Sequence, residues 1–350
     1  MVRCPNKSIK RAKINKDMSY QVLTLVIFVT LVSSMVYAAP PDAFYSDIKD
    51  TPAVTEIEDL SADQSFSVSL FDGAFTYSYP IIVSPGTNGL QPSLSISYNH
   101  QRDDKSSIVG TGWFLSENYI QRDINYTRTN KSDDEFLLIL NGESHKLRYN
   151  SSDLRYHTEV ESYLFIKNFT GGNNTYGPYW FVKKKDGTTY RFGYNNDSEQ
   201  LSNQENYTTR WYLDLINDTF DNKIFYFYKE DPSASDIGVT YPYKITYNND
   251  KSRETEFVLE SSDRPDIWDF YDQGTHTRKS RRLGEIQIKY NNSLVRKYTF
   301  NYSYLDTRSF LNKIQIYGND NSSLLYSDSY SYYTPQKGWH VAGDNWDSPY

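Results

Sequence analysis

The sequence has one cysteine, three methionines and five histidines in 350 residues. The single cysteine is Cys4, so from residue 5 onward the chain holds no disulfide, no thiol nucleophile and no cysteine zinc site. No window of eleven or more residues keeps an apolar i, i+3, i+4, i+7 stripe, which excludes a long amphipathic helix. Gly-x-Ser-x-Gly, His-Glu-x-x-His, a phosphate loop, a dinucleotide fingerprint and an Asp-x-Asp-x-Asp-Gly calcium loop are all absent. His100, His145, His157, His276 and His340 therefore have few partners for chemistry, and no cofactor or metal is expected. A basic excess is missing too. With 37 Lys+Arg against 44 Asp+Glu, a net charge of -7 gives no general attraction to nucleic acid or anionic membranes.

What the chain has is aromatic and β-branched material, with 33 Tyr and 18 Phe in a composition 38% hydrophobic, enough to bury a core. From Phe66 onward short alternating runs recur, among them 66–70, 74–79, 94–98, 136–140 and 224–228. Period two over four to eight residues is the strand signature. Between the runs stand Asp72-Gly73, Asn88-Gly89, Asn141-Gly142, Gly171-Gly172, Asp186-Gly187, Asn248-Asn249 and Asn291-Asn292, pairs that tolerate the positive φ of tight turns. The expectation is an all-β fold of antiparallel, meandering hairpins forming a large curved sheet or shell-like wall, with little helix.

The last third repeats itself. Lys244 to Tyr247, Glu285 to Tyr290 and Lys313 to Tyr317 each precede an Asn/Asp turn and a returning strand, and such hairpins must stack on neighbours to bury a face. The third, Lys313 to Tyr333, is expected to leave an unpaired edge that invites association, and Ile316→Lys is expected to weaken it.

At the N-terminus, Arg3, Lys7, Lys10, Arg11, Lys13 and Lys16 precede the apolar run Val22 to Val32, and small residues allow cleavage after Ala38. This reads as export, with an uncleaved membrane anchor as the alternative. Residues 1–38 are the signal peptide, 39–63 a linker or arm, 64–340 the β module and 341–350 the start of a further region. Cleavage would leave a charge of -12.

Eleven Asn-x-Ser/Thr sequons follow: Asn125, Asn130, Asn150, Asn168, Asn173, Asn196, Asn206, Asn217, Asn291, Asn301 and Asn321. Composition alone predicts about five. A glycosylated extracellular surface and a mere surplus of Asn and Thr in turns both account for the excess.

A family resemblance rests on ordered motifs. Tyr79 to Asn99, with Pro85, Gly86 and Gly89, then Gly110, Gly112 and Trp113, resembles the opening of the virulence plasmid B-protein (SpvB) domain, which also opens the B subunits of insecticidal toxin complexes. Trp180 to Gly193 with Asp186 and Gly187, Arg210-Trp211 to Asp218, and Thr277 to Ile288 follow in the family's order. The resemblance covers about Phe66 to Trp339 and implies a wall segment of a hollow β shell in a larger secreted toxin or Rhs-type surface protein, adjoining β-propeller or Rhs/YD-repeat domains. It implies no enzyme for this chain, since the transferase of the virulence-plasmid relatives lies in a separate domain.

Physics gives the same residues plain roles. Gly110, Gly112 and Trp113 suit a tight strand crossing with a buried indole, and Pro85-Gly86 with Asn88-Gly89 suits successive turns. Glu56/Glu58, Glu159/Glu161 and Glu254/Glu256 could each present two carboxylates on one strand face, as in ADP-ribosyltransferases, but a solvated strand face is the expected role. His157 lies near Glu159 and Asp214 near Asp218 in sequence. Arg278, Lys279, Arg281 and Arg282 could hold a phosphate, yet a solvated hairpin entry is expected.

The sequence therefore points to an exported, non-enzymatic structural module, with a carbohydrate-binding or adhesive surface module as the alternative. Buried or strand-paired tyrosines favour the first; three or more coplanar exposed rings in one groove favour the second. The exported protein is expected to begin at Ala39, and N-terminal sequencing that returned Met1 would reject cleavage.

Overall fold

A computed structural model describes residues 65–68 and 73–332; the signal peptide, the whole of the arm at 39–63 and residues 333–350 lie outside the described residues. Alternation builds strands almost everywhere. Strands β1 (Ser65–Val68), β2 (Phe75–Ile81), β3 (Leu94–Asn99) and β4 (Trp113–Leu115) form a small antiparallel sheet in chain order. Strands β5 (Tyr119–Asp123), β6 (Glu135–Leu140), β7 (Glu143–Asn150), β8 (Arg155–Thr158), β9 (Phe165–Phe169), β10 (Tyr179–Lys183) and β11 (Thr189–Phe192) then meander, each pairing with the next. After the short β12 (Glu199–Leu201) comes β13 (Thr208–Asn217), which pairs with both β11 and β5 and so closes an eight-stranded barrel.

Inward positions fill the barrel. Ile120, Leu138, Ile166, Trp180, Val182 and Phe192 are fully buried, and Trp211 nearly so. The Trp180 ring lies 4.9 Å from Phe136, 4.8 Å from Tyr156 and 5.9 Å from Trp211, so side chains rather than solvent occupy an interior of this strand number.

The sheet branches at β13. Its first half runs between β12 and β5, its second between β11 and β14 (Lys223–Glu230), and β14 leads away from the barrel. Beyond it lie β15 (Thr240–Tyr247) and β16 (Arg253–Leu259). A separate hairpin, β17 (Asp269–Asp272) and β18 (Thr275–Arg278), intervenes in the chain before β19 (Leu283–Tyr290), β20 (Ser293–Leu305), β21 (Arg308–Tyr317) and β22 (Leu324–Ser329). The strands β14, β15, β16, β19, β20, β21 and β22 lie side by side as a wing, and the three repeated hairpins are its last six strands. Their turns use left-handed asparagines: Asn248 at φ 66°, Asn291 at 47°, Asn292 at 64° and Asn321 at 62°. The hairpin-built all-β wall expected from the sequence is present; the closure of one end into a barrel was not expected. Among the described residues, helix is limited to two 3-10 turns, Thr87–Gly89 and Asn196–Ser198.

The small sheet lies on the wing. Tyr247 Oη donates to the Ser84 carbonyl at 2.6 Å, the Ile82 N–H donates to Tyr298 Oη at 3.1 Å, and the Thr87 N–H donates to Asn248 Oδ1 at 3.0 Å. The loop before β4 crosses β21 so closely that a Cβ on Gly110 (φ 90°) would stand 2.9 Å from the Ser309 carbonyl, to which Thr111 N–H donates at 2.8 Å. Beneath the crossing Arg264 is wholly buried, donating to Asp266 at 2.7 and 3.0 Å and to the Ser107 carbonyl at 2.8 Å. Asp266 also accepts from the Ser309 N–H at 2.7 Å and from its hydroxyl at 2.6 Å. Burial pushes the Asp266 carboxyl up, but Arg264 and the two Ser309 donors outweigh it and hold the group at about 2.

Removing one partner of a buried pair strands the other, so Arg264→Ala is expected to cost about 3–5 kcal/mol in urea unfolding. The depressed Asp266 group stabilises the fold above the ordinary carboxylate range near 4, and that contribution of about 2 kcal/mol is lost as pH falls towards 2. A variant Asp266→Asn should lack this acid limb.

Candidate functional site: the hairpin wing and its open edge

The carboxylate pairs do not form reaction centres among the described residues. Glu254 and Glu256 share the outer face of β16, half-buried, and Lys289 contacts both, while Lys244 reaches Glu254 at 3.3 Å. Glu159 is exposed and bonded to Arg148 at 3.0 Å; Glu161 is exposed and accepts from the Tyr163 N–H at 2.5 Å. The Glu56/Glu58 pair lies outside the described residues. His157 bonds Asp153 at 2.8 Å rather than Glu159.

The basic cluster differs from expectation. It is not a solvated entry, because three of its members are paired: Arg278 with Asp269 at 2.7 Å, Arg281 with Asp263 at 3.2 Å and Arg282 with Glu260 at 2.6 Å. The loop folds these carboxylates back onto the guanidinium groups, leaving no convergent phosphate cradle. Burial pulls the Lys279 ammonium below its usual range. Arg281 also borders a hollow of about 310 Å³ with Pro242, Tyr243 and Phe257.

The motif residues sit at turns and crossings. Pro85 and Gly86 lead from β2 into the first 3-10 turn, and a Cβ on Gly86 would run into the Leu90 carbonyl. Gly112 (φ 81°) faces the Tyr98 ring, where a Cβ would be 2.5 Å away. Trp113 is buried and its Nε1–H donates to Tyr332 Oη at 2.7 Å, with Tyr330 packed 4.9 Å from its ring. Asp186 accepts from the Thr188 N–H at 2.8 Å in the turn that Gly187 (φ 88°) completes. Trp211 donates to the Pro178 carbonyl at 3.0 Å inside the barrel.

The sequence reading set Asp214 only beside Asp218 and missed its buried role, and the Arg264–Asp266 pair escaped it. Asp214 is buried and accepts from Arg191 at 2.9 Å and from the Tyr194 and Asn195 N–H groups at 2.9 and 3.2 Å. Burial pushes its carboxyl up to about 6 despite Arg191. An acid within the apolar run Trp211 to Ile216 was the one visible sign of it.

Nine of the eleven sequon asparagines are exposed; Asn168 and Asn217 are half-buried. Asn168 stands opposite Trp180, on the barrel's inward side with Ile166, where a glycan has no room to leave. The half-buried Asn217 donates to Asp221 at 3.3 Å.

At the far end of the wing, β22 pairs only with β21 among the described residues, so its other side is an open strand edge. Ile316 does not lie on that edge. It is 1% exposed, in the core, and Ile316→Lys would unfold the wing rather than probe association.

A profile of the family described as Salmonella virulence plasmid 65kDa B protein, SpvB, matches residues 69–303. No curated protein matches the chain. Among solved structures the chain is similar to TcdB2-TccC3 (TM-score 0.62, 15% identity, 77% of this chain and 16% of that one). It is also similar to the Photorhabdus luminescens Tc holotoxin pore (0.58, 16%, 72% and 15%). A third is the N-terminal domain of effector protein SpvB from Salmonella typhimurium strain LT2 (0.55, 14%, 68% and 99%). At these identities the likeness is one of fold. The chain spans about one sixth of the TcdB2-TccC3 chain and almost all of the SpvB N-terminal domain.

If the β16 carboxylates are a structural ladder, removing their shared cation should be felt in stability. Lys289→Met is expected to cost about 1–2 kcal/mol at pH 7 in urea unfolding. An unchanged midpoint would mean that Glu254 and Glu256 are held for another purpose.

Proposed function

Because the chain belongs to the SpvB family, we propose that it is an exported structural module, a wall segment of a larger toxin-type assembly, and not an enzyme. The observation that carries this reading is the edge of β22, unpaired among the described residues, at the end of a seven-strand wing in a fold shared with a toxin-complex chain several times longer. An unpaired row of N–H and C=O groups is a template for the next strand. Residues 1–38 serve as its leader, 39–63 as an arm, and a β-rich neighbour, such as a β-propeller or Rhs-type repeat, covers the edge.

Tyrosine placement supports a wall over a sugar-binding module. Tyr241, Tyr247 and Tyr298 are fully buried, and Tyr212 nearly so, with hydroxyls engaged inside the fold. Their energy goes into cohesion.

Light scattering on residues 39–350 tests the reading: concentration-dependent self-association is expected, and a monodisperse monomer at all concentrations would count against it. Ser327 and Ser329 are exposed on β22, and Ser327→Lys with Ser329→Lys should restore the monomer. The purified chain is expected to show no ADP-ribosyltransferase or glycosidase turnover; a rate abolished by Glu254→Gln or Glu256→Gln would overturn that part.

A further inference from the structure

The outer wall of the barrel carries a pattern that a wall segment does not require. In β9, Phe165, Lys167 and Phe169 point away from the interior because Ile166 between them is fully buried; in β10 the same holds for Tyr179, Phe181 and Lys183 around Trp180 and Val182. Register sets Phe165 opposite Lys183, Lys167 opposite Phe181 and Phe169 opposite Tyr179, with Arg191 of β11 next to Phe181. Rings and cations alternate across the wall. The Phe181 ring touches Phe165 at 6.4 Å and Phe169 at 6.3 Å, and Lys167 Nζ lies 5.4 Å from the Phe169 ring.

Charge gives the face its sign. Arg155, 5.4 Å from the Phe165 ring, is paired with Asp153, and Arg191 is paired with Asp214. Lys167 and Lys183 have no ion-pair partner among the described residues. These two are therefore the cations of this wall that no carboxylate pairs among the described residues, on a chain of net charge -7.

We infer that this wall docks an extended anionic polysaccharide, with acidic groups on Lys167 and Lys183 and sugar faces against Phe165, Phe169 and Phe181. The ring geometry selects among polyanions. Phe181 stands at 76° to Phe165 and 84° to Phe169, and only Phe169 and Tyr179 lie near parallel, at 23°, so no run of three ring faces is presented together for base stacking. A neutral glycan would need a coplanar platform that these rings lack. A sugar acid needs only partial C–H contact beside a cation, and the row Arg155, Lys167, Phe181, Arg191 crosses four strands, about 15 Å.

The test uses the full chain with alginate and heparin oligosaccharides, followed by calorimetry at low and high salt. Saturable binding that weakens with salt is expected. Lys167→Glu with Lys183→Glu should weaken it at least about tenfold, and Phe169→Ser about fivefold, while Lys229→Glu, an exposed lysine of the wing, leaves it unchanged. Circular dichroism checks folding, and Lys167→Gln with Lys183→Gln replaces the charge reversal if that variant unfolds. The inference falls if the folded lysine variants bind like the parent, if poly(dT) or polyglutamate binds as tightly as the oligosaccharides, or if neither oligosaccharide saturates below about 1 mM.

Discussion

The crossing of Gly110 and Thr111 over Ser309 is the constraint on which the arrangement of the two sheets depends. The backbones touch there, so the small sheet can meet the wing only in one register. The buried Arg264–Asp266 pair fixes that register from below, because Asp266 takes both donors of Ser309 while Arg264 takes the Ser107 carbonyl. A buried ion pair adds little net stability compared with apolar residues of the same size, but any arrangement that separates its members leaves a desolvated charge. Misregister is thus penalised more strongly than the correct register is rewarded. Leu283 N–H donating to the Ile108 carbonyl at 2.8 Å ties the same loop to β19, so three elements distant in sequence share one fixed point.

A second constraint separates barrel from wing. At the end of β11 the register against β13 shifts between Arg191 and Phe192, and Gly193 follows at φ 66°. Any Cβ at Gly193 would overlap the Trp211 ring. The glycine lets the chain leave the strand while the indole enters the barrel, and Asp214 holds the departing loop through the Tyr194 and Asn195 N–H groups. The barrel closes because β13 has room for β11 on one part and β14 on another, so one strand serves both halves of the fold.

Strands and turns were legible in the sequence to different depths. The alternating runs at 66–70, 74–79, 94–98, 136–140 and 224–228 overlap β1, β2, β3, β6 and β14, and Asn88, Asn141, Asn248 and Asn291 take the left-handed conformation that turns require. These features are local, set by period two and by residues that tolerate positive φ. Barrel closure was not legible, because it depends on Thr189 meeting Asn217 and Tyr119 meeting Tyr212, pairings that no periodicity encodes. For the same reason Arg278, Arg281 and Arg282 looked like a free basic cluster: their partners Asp269, Asp263 and Glu260 are brought in by loop geometry. Sequence separates charges that folding pairs.

The wing also limits how a wall could grow. One face is apolar, with Phe257, Ile286, Ile288, Tyr298, Ile314 and Ile316 buried in the core beside the small sheet. The other face of β15, β16, β19 and β20 interleaves Lys244, Glu254, Glu256, Lys289, Glu285 and Lys297 in cross-strand pairs of opposite sign. Stacking another sheet on that face would desolvate paired charges for little gain, whereas adding a strand at β22 satisfies hydrogen-bonding groups already aligned. Of the two directions open to such a wing, extension in its own plane is the one its chemistry favours.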